Sequence, residues 1–239
     1  MDTVKIKRGN TKMVAHRGVS GLELENTCAA FVAAGNRSYV GVETDVHVTA
    51  DGKFIIIHDD DTGRVAVESM VVEQTDYETL RNLQLKQKDG MLRTDLRLPS
   101  LEEYLSICKH YDKVCVLELK NPMEEEAVKG IIETCEAVYS LDKMVFISFA
   151  FQNMLYIRKY APNAEAQYLL AEEITQAHID TLAEHNLDLD VHYLAMSEEL
   201  MQRLHDRGIK VNCRTVDDPQ IAEKLVSWGI DYITSNILE

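Results

Sequence analysis

The chain has 239 residues, 46% of them hydrophobic, with a formal net charge of -15 at pH 7. That suffices for one large domain with a substantial core, and the acidic balance argues against nucleic acid or anionic lipid as a partner, since both call for basic surfaces. Five cysteines (Cys28, Cys108, Cys115, Cys135, Cys213) without C-x-x-C spacing suggest neither a zinc site nor a disulfide framework, and with no signal-peptide h-region and no run of 18 apolar residues the expectation is a cytoplasmic protein without stable membrane association.

Short apolar runs alternate with longer helical patterns. Strands are predicted over 13–16, 40–46, 114–119, 144–148, 165–170, 189–193, 209–213 and 232–234. Between them, 124–139 repeats apolar residues at i, i+3, i+4 (Ala127, Val128, Ile131, Ile132, Cys135) and reads as a helix. Ser100 with Glu103 makes a capping box, Asp218-Pro219 is an N-cap followed by proline at the first helical position, and Gly208 marks a helix exit. Eight βα repeats in this length predict a (β/α)8 barrel, 1–239, over a doubly wound sheet, because HRGVSGLE is no glycine-rich phosphate loop. The segment 59–99 is too long for an ordinary βα loop. It is expected to form a small insertion over the barrel mouth, with a short helix near 76–83.

The stretch 13–59 concentrates the chemistry. Glu43 and Asp45 alternate to the same side of one strand, roughly 7 Å apart, and a buried carboxylate needs a partner. Asp51-Gly52 signals a hairpin. A two-residue loop would pair Val48 with Ile55 and bring His58 opposite Asp45. His16 and Arg17 end the first strand; Glu118 and Lys120 end the third. These groups therefore converge on the C-terminal face of adjacent strands, where barrel active sites lie. Three carboxylates suit a hard divalent cation, Mg²⁺ or Ca²⁺, better than zinc. Arg17 and Lys120 make the spot attractive to a phosphate ester, and two histidines could exchange protons there. A purely structural ion-pair network is the bland alternative. His47 stays open as a candidate, whereas His110, His178, His185 and His205 read as surface or packing residues.

On these residues the sequence resembles the glycerophosphodiester phosphodiesterase family: HRG at 16–18, ENT at 25–27, E-x-D at 43 and 45, T-x-D-G at 49–52, HD at 58–59, LPSLEE at 98–103 and ELK at 118–120, in the family's order. TVDDP and GIDYITSN match its last strands more loosely. The resemblance implies a TIM barrel that hydrolyses glycerophosphodiesters to glycerol 3-phosphate and an alcohol. It makes Glu43, Asp45 and Glu118 ligands of one divalent metal, His16 and His58 the acid/base pair, and Arg17 and Lys120 phosphate contacts. It further implies attack by the substrate's own glycerol hydroxyl and a cyclic phosphate that water opens. Three positions depart from the family. Leu24 replaces a proline, with an effect expected on loop stiffness only; Arg214 replaces a tryptophan and is expected to contact the substrate's head group; Asn236 replaces an aspartate. A phospholipase D-like barrel acting on lysolipids and a non-catalytic binder of phosphorylated glycerol are the competing readings.

Overall fold

The computed structural model describes residues 2–87 and 89–239. Eight parallel strands among them form the barrel: β1 (Lys12–Ala15), β2 (Gly41–Val48), β6 (Val114–Leu119), β7 (Met144–Ser148), β8 (Glu165–Leu170), β9 (Asp188–His192), β10 (Val211–Arg214) and β11 (Tyr232–Ser235). Each pairs with its successor, and β1 pairs with both β2 and β11, which closes the ring. The (β/α)8 TIM barrel expected from the alternation is thus the observed fold.

Helices α1 (Cys28–Gly35), α3 (Leu101–His110), α4 (Glu125–Val138), α5 (Phe151–Tyr160), α6 (Gln176–Glu184), α7 (Glu198–His205) and α8 (Pro219–Ser227) connect the strands. The predicted starts hold. Ser100 Oγ accepts from the Glu103 N–H while Glu103 accepts from the Ser100 N–H, and the Asp218 side chain caps α8. Gly208 takes φ +73° between α7 and β10. The main core lies between the helices and the outer face of the barrel.

Strand alternation decides what fills the inside. Val14, Val116, Val145, Ile147, Leu169 and Tyr232 form a separate apolar cluster there. On the same inward faces stand Glu43, Asp45, Glu118, Gln167, Asp190, Asn212 and Thr234, all buried. Polar and apolar side chains share levels inside the barrel: Glu43 is paired with Val116, Gln167 with Ile147 and Asp190 with Leu169.

Strand β3 (Phe54–Ile56) turns back on β2, but in another register from the one predicted: Val48 pairs with Phe54 and Val46 with Ile56. The loop has three residues. Thr49 binds Lys53 through both backbone and hydroxyl, and Gly52 takes φ +75°. A type I′ turn would need Asp51 at positive φ as well, whereas one glycine at that angle closes a three-residue loop with a bulge. Asp45 accordingly faces Ile57, whose N–H donates to the Asp45 carbonyl at 3.1 Å. His58 is not its ladder partner.

Segment 59–99 carries α2 (Tyr77–Arg81), capped by Asp76, and a ribbon of β4 (Leu85–Lys86) with β5 (Leu92–Arg93). It has a small core of its own around Ile55, Ile57, Leu80, Leu85 and Leu98. Leu24 packs against that core. Its role therefore goes beyond loop stiffness, because a branched apolar side chain there ties the loop after β1 to the insertion.

Candidate active site

Among the described residues, ligand oxygens of Glu43, Asp45 and Glu118 come within 4.8 Å of one another. The register explains it: Asp45 stands level with Glu118 on the neighbouring strand, and Glu43 lies one inward position below. Two cations answer these three carboxylates. Lys120 Nζ lies 2.7 Å from Glu118 Oε1 and 3.6 Å from Asp45 Oδ1, and Arg17 Nε lies 3.6 Å from Asp45 Oδ2.

Ion pairing alone does not satisfy this cluster. Asp45 Oδ1 and Arg17 Nε are buried without a hydrogen-bond partner among the described residues. Burial, then the charge of Asp45, holds the Glu43 carboxyl well above the usual range, and the same causes push Glu118 up to about 7. Asp45 alone stays below its ordinary value: burial opposes ionisation, but Lys120 and Arg17 outweigh it. One carboxylate too many, an orphaned buried oxygen and an all-oxygen donor set fit a hard divalent cation.

The ENT motif turns out to hold this cluster together. Glu25 accepts from Arg17 Nη1 at 2.8 Å, Asn26 Nδ2 donates to Asp45 Oδ2 at 2.8 Å, and Thr27 caps α1. Arg17 itself sits at φ +52°, with its N–H on Glu43 Oε2 at 2.7 Å. Gly18 follows at φ +74°, and a Cβ there would meet Ala30 at 2.6 Å, so HRG ends in glycine for want of space as well as for its backbone angle.

The two histidines differ in their partners. His16 Nδ1 meets Asn236 Oδ1 at 2.8 Å, and Asn236 is itself held by Asp217 and Ser20. Burial, then the neighbouring Arg17, pushes His16 down to about 4. It is a neutral imidazole at pH 7, and since an amide oxygen accepts from Nδ1–H, Nε2 keeps a free lone pair. His58 Nδ1 instead meets the Asp59 carboxylate at 2.6 Å. Burial, joined by Arg17 and Lys120, lowers its pKa too, against the opposing pull of Asp45 and Asp59. The chain leaves β3 before His58, so its imidazole reaches the mouth despite the altered register.

On the far wall, Arg214 Nη1 donates to Asp190 Oδ1 at 2.5 Å, and its guanidinium lies 5.0 Å from the ring centroid of half-exposed Phe149. Its charge reaches Glu118, where it favours the carboxylate. His47 is fully buried, bridging Glu73 and the His58 carbonyl. It braces the turn and does not enter the cluster.

Known proteins share this fold and sequence pattern. The sequence model of the glycerophosphoryl diester phosphodiesterase family matches residues 16–238. The chain belongs to that family. It is 28% identical over 233 residues to a glycerophosphodiester phosphodiesterase of Caldanaerobacter subterraneus subsp. tengcongensis, covering 95% of this chain and 94% of that one. Among solved structures, it superposes with a TM-score of 0.87 on an Oleispira antarctica phosphodiesterase bound to the product sn-glycerol-3-phosphate, at 25% identity, covering 98% of this chain and 96% of the other. A glycerophosphodiester phosphodiesterase of Parabacteroides distasonis gives 0.79 at 26% identity, covering 95% and 93%.

Within the family frame, several residues that matter to the site carry no role in the sequence reading: Glu25, Asn26, Asp59 and Asp190. Extending the i, i+2 alternation from β2 to β9 and β10 would have found Asp190 with Asn212 and Arg214. Asn236 yields a further expectation. An aspartate there would favour imidazolium at His16 and raise its pKa from about 4 toward 6.5. If His16 is the catalytic base, the acid limb of kcat/KM should move to higher pH in Asn236→Asp; a pH–rate profile checks it.

Proposed function

We propose that this chain is a metal-dependent hydrolase of glycerophosphodiesters that yields glycerol 3-phosphate and an alcohol. The observation that carries this is the buried triad Glu43, Asp45 and Glu118 flanked by two histidines with different partners and two phosphate-seeking cations. The reading treats 1–239 as one domain whose insertion forms a wall of the site.

Glu43, Asp45 and Glu118 would hold one Mg²⁺ or Ca²⁺. Such an ion would neutralise and polarise the phosphoryl oxygens. Arg17 and Lys120 bind the remaining phosphate charge, Arg17 held by Glu25 and Lys120 by Glu118. His16 accepts the proton of the attacking hydroxyl at Nε2. His58, which faces carboxylate charge, gives a proton to the departing alkoxide, so the oxygen leaves as a neutral alcohol. The cysteines at 108, 115, 135 and 213 are buried in the fold, and among the described residues neither histidine ring is hydrogen-bonded to a serine or to the partly buried Cys28; the nucleophile is therefore a substrate hydroxyl or water. In the first case a cyclic phosphate forms and His16 and His58 exchange roles while water opens it. Among the described residues no helix is long and apolar enough to cross a membrane. The acidic composition favours a small cytoplasmic diester over a lipid surface.

The direct test is release of glycerol 3-phosphate from glycerophosphocholine and glycerophosphoinositol in the presence of Mg²⁺ or Ca²⁺. No turnover with any metal would sink the reading.

Arg214 sets a preference within it. A trimethylammonium head group seeks an aromatic face, but the face of Phe149 already carries the Arg214 guanidinium. A polyol or anionic head group can instead accept hydrogen bonds there. In Arg214→Trp, kcat/KM for glycerophosphocholine relative to glycerophosphoinositol should rise by about 10-fold, the size of a cation–π contact of ~1.4 kcal/mol. An unchanged ratio removes Arg214 from the substrate site.

A further inference from the structure

One group from the insertion joins the two working halves of the site. Arg64 reaches back over the mouth and is bonded on both sides. Its Nε and Nη2 donate to Asp59 Oδ2 and Oδ1 at 2.6 and 3.1 Å, and its Nη1 and Nη2 donate to Glu25 Oε2 and Oε1 at 2.7 and 2.9 Å. Asp59 is the carboxylate on His58 Nδ1, and Glu25 is the carboxylate on Arg17 Nη1. We infer that Arg64 is a positioning residue for the phosphodiesterase reaction, a two-sided clamp that holds the His58–Asp59 pair and the Glu25–Arg17 pair in register with each other.

The chemistry asks for such a clamp. His58 and Asp59 are consecutive residues just beyond the end of β3, where no ladder bond fixes them. A partly exposed carboxylate can rotate away from an imidazole, and surface ion pairs hold little by themselves. A guanidinium that grips both carboxylate oxygens in its plane removes that freedom. Asp59 then keeps the proton of His58 on Nδ1 and turns Nε2 toward the phosphate. The same guanidinium also fixes Glu25, whose other task is to aim Arg17. Lysine could offer charge to one partner at a time but could not fork to two. The planar five-donor shape is therefore what the place requires.

The inference rests on the hydrolase reading above, and the test separates the two. Arg64 is partly exposed, so Arg64→Gln should fold normally. It should lower kcat by ~10- to 10²-fold, since misplacing a catalytic group by about 1 Å costs that much, and should raise KM because Arg17 loses its anchor. In an Asp59→Asn background the same change should cost kcat little more, because Arg64 acts on His58 only through Asp59, while the KM rise persists. Arg64→Lys should recover part of the loss. Independently of turnover, the ¹⁵N spectrum of His58 at pH 8 should show the Nδ1–H tautomer in the unaltered protein and a mixture in Arg64→Gln. Wild-type kcat and KM in Arg64→Gln would overturn the inference. So would fully multiplicative losses in the double variant combined with an unchanged His58 tautomer. Should the unaltered chain release no glycerol 3-phosphate, the hydrolase reading fails, and the tautomer still decides whether Arg64 sets His58.

Discussion

His16→Ala and His58→Ala are each expected to lose at least ~10²-fold in kcat, the usual worth of a positioned proton-transfer group, while divalent metal still raises the melting temperature of both variants. The two parts of this expectation come from different observations. The loss follows from the environment of the rings. His16 is partly buried, neutral and bound through Nδ1 to Asn236, so its free nitrogen can only accept a proton. His58 is bound through Nδ1 to Asp59, a carboxylate that supports its charged form against burial and the nearby Arg17 and Lys120, so that once protonated it can donate from Nε2. Retained metal stabilisation follows from the triad, which Glu43, Asp45 and Glu118 complete without either histidine. The variants should also differ in pattern. An artificially good leaving group should rescue His58→Ala, which lacks the donor, and should leave His16→Ala slow. Loss of the metal-dependent melting shift in His58→Ala would make His58 a ligand. Rescue of both variants by the same substrate would remove the division of labour.

Removal of metal should abolish turnover and, in addition, leave a pH-dependent weakness in the fold. Polarisation of a phosphoryl group by a bound cation is worth several kcal/mol, so chelation should cost at least ~10³-fold in kcat. The stability effect follows from Glu118. Its carboxyl rises from an ordinary 4.5 to about 7 in the folded chain, through burial and the nearby Asp45. The folded state therefore holds that proton more tightly than the unfolded state. Stability is greatest below pH 4.5 as far as this group is concerned, and it is lost as pH climbs from 4.5 to about 7. A bound dication replaces the proton and abolishes the loss. In EDTA, Glu118→Gln should gain melting temperature over the unaltered chain as pH rises through this window. With saturating Mg²⁺ or Ca²⁺ the order should reverse, because the variant has given up a ligand. Parallel melting curves for both proteins at every pH would count against the triad as a metal site.

How much of this could be read beforehand differs by element. Repeating apolar runs and capping residues told of the barrel because strand and helix periodicity are local properties, set by which face meets the core. The carboxylates of β2 and the ELK end of β6 stood out for a related reason: charge inside a strand is costly and demands an explanation. The hairpin register could not be read the same way. The same Asp-Gly pair closes either a two- or a three-residue loop, and the choice fell to the Thr49 hydroxyl, which accepts the Lys53 N–H. Nor could Arg214 be read in full, because its partner Asp190 lies on another strand and Phe149 just beyond the end of a third, and only closure of the barrel brings them together.

The chain's own order of residues was thus enough to indicate the eight-strand alternation, the three carboxylates that cluster in the fold, and the family, since each depends on short spacing or on motifs contiguous in the chain. The folded molecule alone established that Glu25 and Asn26 grip Arg17 and Asp45, that His16 answers to an amide and His58 to a carboxylate, and that Arg64 ties both halves of the mouth. Asn26 to Asp45, His16 to Asn236 and Arg64 to Glu25 join segments far apart in the chain, and a hydrogen bond of under 3 Å between them exists only once the ring has closed and the insertion has folded over it.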